Sequence, residues 1–191
     1  MTTPTTVESR SRWVAPASFA VLGALGATIL AACTPNTGLD MTKPMSDGTW
    51  TAQSNPDDQG SIGTITITVE GGRITATSYE TTLANGTDKG ADYGKNSAGE
   101  VFNQDYYKKA QAAVASYQEY SDNLTKVGDP AKVDVITGAT VAHQQFVQAA
   151  IRAIAAAQGV SDEAADDINI PGLNDATKDG DLDKDLGGSD G

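Results

Sequence analysis

Residues Asp134 to Ala142 read DVITGATVA. The Val133–Ile136 run is strand-like, Thr137-Gly138 turns the chain, and an apolar helix opens at Thr140-Val141. Downstream, residues 141–157 place Val147, Ala150, Ile151 and Ile154 on one side, and Ala149, Ala153 and Ala155 to Ala157 make the segment a strong helix former. Upstream, Gly128-Asp129-Pro130 breaks the chain. Before it, residues 104–120 carry Tyr106, Ala110, Ala113, Val114 and Tyr117 at helical spacing.

The first half of this region alternates with period two. Ile65, Ile67 and Val69 interleave with Thr64, Thr66 and Thr68, which predicts a half-buried strand. Gly71-Gly72 supplies a tight turn, and Ile74, Ala76 and Ser78 continue on the return strand. Asp47 to Ala52 forms a short leading strand. So small a sheet needs a cover, and the two helices provide it. The expected fold is therefore α+β, a small antiparallel sheet covered by helices. The domain spans residues 46–158, about 110 residues, a normal single-domain size. No internal repeat is visible.

Arg10 and Arg12 precede an apolar run from Val14 to Leu30, followed by Leu30-Ala31-Ala32-Cys33. These are the three parts of a secretory signal. The run lies near the lower limit for a spanning helix, roughly 17–25 residues, and its Gly and Ala content makes it a poor span. An uncleaved N-terminal anchor is the alternative. Leu-Ala-Ala-Cys resembles a bacterial lipobox, in which cleavage would free Cys33 for a lipid thioether. Residues 1–32 are then a signal peptide and residues 33–45 a flexible tether. As the only cysteine, Cys33 excludes a disulfide within the chain.

The full chain carries a formal charge of −12 from 25 acidic and 13 basic residues. Loss of Glu8, Arg10 and Arg12 with the signal makes it −13. Nucleic acid is excluded as a partner, because phosphate binding needs a basic surface. Membrane attachment must come from the lipid and not from a basic patch. Residues 161–191 hold ten acids against Lys178 and Lys184, so residues 159–191 read as an acidic disordered tail. A calcium loop is its rival, since Asp175, Asp179, Gly180 and Asp181 fall near EF-hand spacing. Thr177 and Leu186 occupy positions where that loop needs ligands.

The start of the closing helix is the place with chemistry. Its first N–H groups lack intrahelical partners and lie at the positive end of the dipole. Gly138 and Ala139 keep the backbone bare, and Thr140 sets a hydroxyl at the helix mouth. A phosphate could bond there or be joined through the Thr140 oxygen. Thr137 could bind phosphate or cap the helix, and capping alone by Thr137 or Thr140 would contribute about 1 kcal/mol. His143, the sole histidine, reads as either a solvated surface residue or a neighbour of the phosphate. One histidine cannot make a His-based metal site, and no nucleophile elbow accompanies it. Trp50, Tyr79, Tyr93 and the tyrosines of 106–120 are core aromatics or candidates to stack on a planar ligand.

Asp134-x-x-Thr137-Gly138-Ala139-Thr140 resembles the acceptor motif of the FMN-binding domain family. The Asp47-Gly48-Thr49-Trp50 opening and the following hairpin are similar to that family's layout. The likeness extends to its small surface lipoproteins through Thr87 to Gly94 and Tyr106-Tyr107-Lys108-Lys109. It implies FMN joined covalently through its phosphate to Thr140 by a flavin transferase. Asp134, Thr137, Gly138 and Ala139 would complete the site, with Asp134 serving the transferase. Ala142 and His143 depart from relatives, which carry Ser or Thr shortly after the acceptor.

The same resemblance implies an electron carrier, not an enzyme, on the outer face of the cell membrane. A membrane quinol-oxidising partner would be the donor; an external flavin, ferric iron or a surface reductase would be the acceptor. The rival readings are a solute-binding or a structural surface lipoprotein without flavin.

Overall fold

The alternating Thr/Ile segment forms the central strand of a three-stranded antiparallel sheet. In a computed structural model describing residues 35–170, β1 spans Gly48–Gln53, β2 Ile62–Glu70 and β3 Arg73–Thr82, in the order β1-β2-β3. Ile65 pairs with Ala52 on one side and Tyr79 on the other. Ile65, Ile67 and Val69 are buried, each stabilising the fold by roughly 1.5–3 kcal/mol. On the opposite face the hydroxyls of Thr51 and Thr66 meet at 2.9 Å. Gly71 and Gly72 have φ of 61° and 75°, as a two-residue turn with both central positions left-handed requires.

Helix α1 covers Gln104–Val127 and α2 covers Thr140–Gln158. Asn103 caps α1 by accepting from the Asp105 and Tyr106 N–H groups, and Gly128, left-handed, ends it. The helix continues past the 104–120 stripe, burying Tyr117, Tyr120 and Leu124 while Tyr106 stays exposed. α2 lies on β1 and β2, and α1 on β3. Val147, Ala150, Ile151 and Ile154 are all buried, as expected, and so are Gln145 and Gln148 on the same helix. The α+β architecture is thus the expected one. No helix among the described residues is long and apolar enough to cross a membrane.

Three expectations are corrected. Residues 133–136 form no strand; a short 3-10 turn at Pro130–Lys132 precedes an irregular segment. Side chains from the two helices, and no neighbouring strand, satisfy its backbone at Val133 and Ile136. Next, residues 35–45 are not a free tether. Leu39, Met41 and Met45 pack against the core, Gln158 Nε2 donates to the Asp40 and Lys43 carbonyls, and Ser46 N–H donates to Ala157 O.

The third correction concerns residues 159–170, which are packed. A 3-10 turn at Glu163–Ala165 follows the left-handed Gly159, and Ala165 and Ile168 join the core. Both segments dock because they add apolar side chains to the core and hydrogen-bond to α2 residues, Gln158 and Ala157 for the first and Gln148 for the second. Residues 171–191, including the candidate calcium loop, lie outside the described residues. So do residues 1–34, with the expected signal peptide and Cys33.

Candidate functional site

The segment linking the helices is held from beneath. Asp129 caps the 3-10 turn through the Ala131 N–H, and Val133 is buried. Asp134 and Val135 are exposed. At Ile136 the chain turns: Ala139 N–H donates to Ile136 O at 2.9 Å, with Thr137 and Gly138 between them. Gly138 has φ of 81°, the value a type II turn requires at its third position. Ala139 then stands at the N-cap of α2, and Thr140 is the first helical residue.

No side chain caps α2. The capping expectation for Thr137 or Thr140 therefore fails. Both threonines and Gly138 are exposed, so one short turn brings together two hydroxyls, a bare glycine and an uncapped helix start. A Cβ at Gly138 would meet nothing within 4 Å. Ala139, in contrast, is buried and contributes its backbone. Asp134 is exposed and close enough to His143 to act on its charge.

Replacing Gly138 by valine tests this turn. There is no steric clash, so the cost is that of a β-branched residue at positive φ, about 1–3 kcal/mol. Chemical denaturation should show that loss. Gly138→Asn, which tolerates the left-handed region, should lose less.

His143, in the first turn of α2, does not fit the solvated reading. It is buried, its Nε2 lies 2.7 Å from Val133 O, and its Nδ1 has no partner. Nε2 must then carry the proton and donate, leaving Nδ1 bare. Desolvation is the larger influence and pushes its pKa below the ordinary histidine value; the Val133 bond and Asp134 oppose it. The unfolded chain thus binds this proton at higher pH than the folded one. His143 contributes stability fully present above the unfolded value, about 6.5, and lost as pH falls through the folded value. Urea midpoints should therefore drop more steeply below about pH 6.5 in the parent than in His143→Gln, whose amide can still donate to Val133 O. Equal slopes would refute this.

Two tyrosines not singled out for that role in the sequence fix backbone in this region, Tyr120 at the ends of the turn and Tyr79 within α2. Tyr120 donates its hydroxyl hydrogen to Ala139 O at 3.2 Å and accepts from Ile136 N–H at 3.1 Å. Tyr79 donates to Ala142 O at 3.1 Å. Gly63 makes room for it, since a Cβ there would lie 2.5 Å from the Tyr79 oxygen. Phe146 links the two rings, edge-on to Tyr79 at 5.3 Å and stacked on Tyr120 at 5.2 Å. Tyr79, Tyr117 and Tyr120 are accordingly core aromatics. Trp50, half-buried, donates Nε1–H to Ser46 O.

The Thr87–Gly94 segment is anchored elsewhere. Lys89 Nζ lies 3.6 Å from Asp57 Oδ2, both side chains being buried, and 5.1 Å above the Tyr93 ring. Burial pushes the Lys89 pKa down while Asp57 opposes it. Among the described residues no group of three His, Cys, Asp or Glu could hold a metal ion.

The fold and site define a small α+β domain that presents a Thr-Gly-Ala-Thr turn at the start of its last long helix. No family model and no curated protein matches the chain. Two solved structures are similar to it. A crystal structure of a Clostridium perfringens protein is 23% identical, covering 60% of this chain and 90% of its own, with a TM-score of 0.48. A solution NMR structure of a Clostridium thermocellum protein is also 23% identical, covering 61% of this chain and 95% of its own, with a TM-score of 0.36.

Proposed function

We propose that this chain is a lipid-anchored extracellular electron carrier with FMN joined through its phosphate to Thr140. The observation that carries the proposal is the exposed Thr140 at an uncapped helix start, directly after a turn with glycine at positive φ. The N–H groups opening α2 lack a side-chain cap and suit an anion. The dipole adds positive potential where a phosphate's charge would sit. Open space over Gly138 permits close approach of a bulky group.

The linkage is a phosphoester. Thr140 Oγ bonds to the FMN phosphorus of a flavin dinucleotide, the pyrophosphate bridge breaks, AMP leaves with the electron pair, and the hydroxyl proton passes to base. A flavin transferase would supply the base. Asp134 is exposed at the near end of the segment, where an incoming enzyme can reach it. When bound, FMN supplies one- and two-electron transfer. Acid-rich surroundings would disfavour its anionic reduced form and lower its potential.

Under this proposal Cys33 carries the lipid. A membrane quinol-oxidising partner passes electrons in, and an external flavin, ferric iron or a surface reductase takes them out. Packing of residues 35–45 against the domain would hold the head closer to the membrane than a free linker would.

Intact mass tests the attachment. The full chain co-expressed with a flavin transferase should gain one flavin-phosphate increment, and Thr140→Ala should gain none. An unmodified parent, beside a positive-control substrate that is labelled, would sink the flavin reading. A colourless surface lipoprotein would then remain.

A further inference from the structure

Resting on the attachment reading, we infer that Tyr120 is a positioning residue for modification of Thr140. Its hydroxyl bridges the two ends of the acceptor turn, accepting from Ile136 N–H at 3.1 Å and donating to Ala139 O at 3.2 Å. Between those contacts lie only Thr137 and Gly138, and Thr140 follows at once. α2 has no side-chain cap to fix its first turn, so this bridge from α1 does the fixing.

The bridge is built to be rigid. Tyr120 is fully buried, with its ring stacked on Phe146 and tilted against His143 at 5.4 Å. His143 in turn holds Val133 O, at the start of the same segment. Burial pushes the Tyr120 pKa up to about 12, so the hydroxyl keeps its proton near neutral pH and remains a donor to Ala139. The outer side of the turn is left bare for an enzyme and a phosphate. A flexible acceptor would present Thr140 Oγ in many orientations, whereas in-line attack on phosphorus needs one.

The step affected is bond formation between Thr140 Oγ and the FMN phosphorus of a flavin dinucleotide, with AMP leaving and the hydroxyl proton taken by base. Tyr120 touches none of these atoms. It sets where the Thr140 backbone stands.

The test compares Tyr120→Phe with Tyr79→Phe in the full chain. Each removes one hydroxyl from the same aromatic cluster, but Tyr79 bonds to Ala142 O inside α2 and leaves the turn ends tied. Initial rates of flavin-phosphate addition by a purified transferase would be read by mass, at a temperature where both variants remain folded. Amide exchange at Ile136 would be followed beside them. Tyr120→Phe should slow addition roughly ten- to a hundredfold and speed exchange at Ile136, with Tyr79→Phe within about twofold of the parent.

A Tyr120→Phe rate matching the parent's would overturn the inference. Equal slowing of both variants would overturn it too, by showing general loosening of the cluster. If the parent goes unmodified while a control substrate is labelled, the attachment reading itself has failed and this inference falls with it. A modified parent with an unaffected Tyr120→Phe removes the inference alone.

Discussion

Phe146→Ala is expected to destabilise the protein by about 3–5 kcal/mol, the range for truncating a buried aromatic ring. Phe146 is fully buried on the second turn of α2, between Tyr79 and Tyr120. Its loss removes the apolar contact area and leaves a cavity between two rings, of which Tyr120 holds the ends of the 136–139 turn and Tyr79 holds Ala142 O of α2. The damage should therefore extend beyond stability. Tyr120 would no longer be pressed toward Ile136 and Ala139, and the turn should exchange its amide protons faster. Urea unfolding measures the first effect and amide exchange the second. Phe146→Leu fills most of the space and should lose less than half as much. A Phe146→Ala midpoint within error of the parent would mean that the ring does not lie in the core as described.

Ending the chain after Gln158 is expected to cost roughly 3–5 kcal/mol, although 159–191 reads as an acidic tail. Such a chain loses the left-handed Gly159, whose N–H donates to Ala156 O, and Val160, whose N–H donates to Ala155 O. It uncovers the side of α2 on which Ala165 and Ile168 sit. Gln148 is the larger concern. Its Nε2 donates to Ala165 O at 2.9 Å, and its side-chain oxygen accepts from Asn55 N–H. Without residue 165 a buried amide donor loses its partner, which costs about 1–3 kcal/mol. Arg152 also loses Asp166 at 2.7 Å but keeps Gln53 O and Asn55. This exposed-partner ion pair contributes little. A chain ending after Ile170 retains every one of these contacts. Thermal and urea midpoints of the two truncations should separate clearly; equal midpoints would sink the account.

Residues 35–45 and 159–170 pack, against the expectation from composition, for the same reason. Composition averages over a window, and the 161–191 window is dominated by aspartate and glycine. Ala165 and Ile168 are two apolar residues in that window. Two residues cannot build a core, but they can complete one that α2 already offers. The same holds for Leu39, Met41 and Met45. Whether a sparse apolar residue is buried depends on what stands opposite, and the contacts that dock residues 35–45 come from more than a hundred residues away in sequence, as Gln158 does for Asp40. The absence of a strand at 133–136 has a similar origin. Val133, Val135 and Ile136 have strand propensity, but the hydrogen bonds that would make a strand go instead to His143 and Tyr120.

Local chemistry determined much by itself. Alternation at Ile65, Ile67 and Val69 set the core face of β2, since side chains of a strand point in turn to opposite sides. Gly71-Gly72 set the hairpin, because left-handed backbone at adjacent positions suits glycine. The apolar spacing of α2 set its buried face, and Gly138 before Thr140 set the turn that precedes it. Each is governed by residues within a few positions of one another. Only the tertiary structure decided that Tyr120 and Tyr79 hold the turn and α2 from opposite elements, that His143 lies beneath it, and that both flanks of the domain are packed. Those facts depend on which surfaces meet after the sheet and helices have formed. The spacing on α1 marks Tyr120 as one more aromatic of a helix. Its hydroxyl gains a role only when folding brings Ile136 and Ala139 to it.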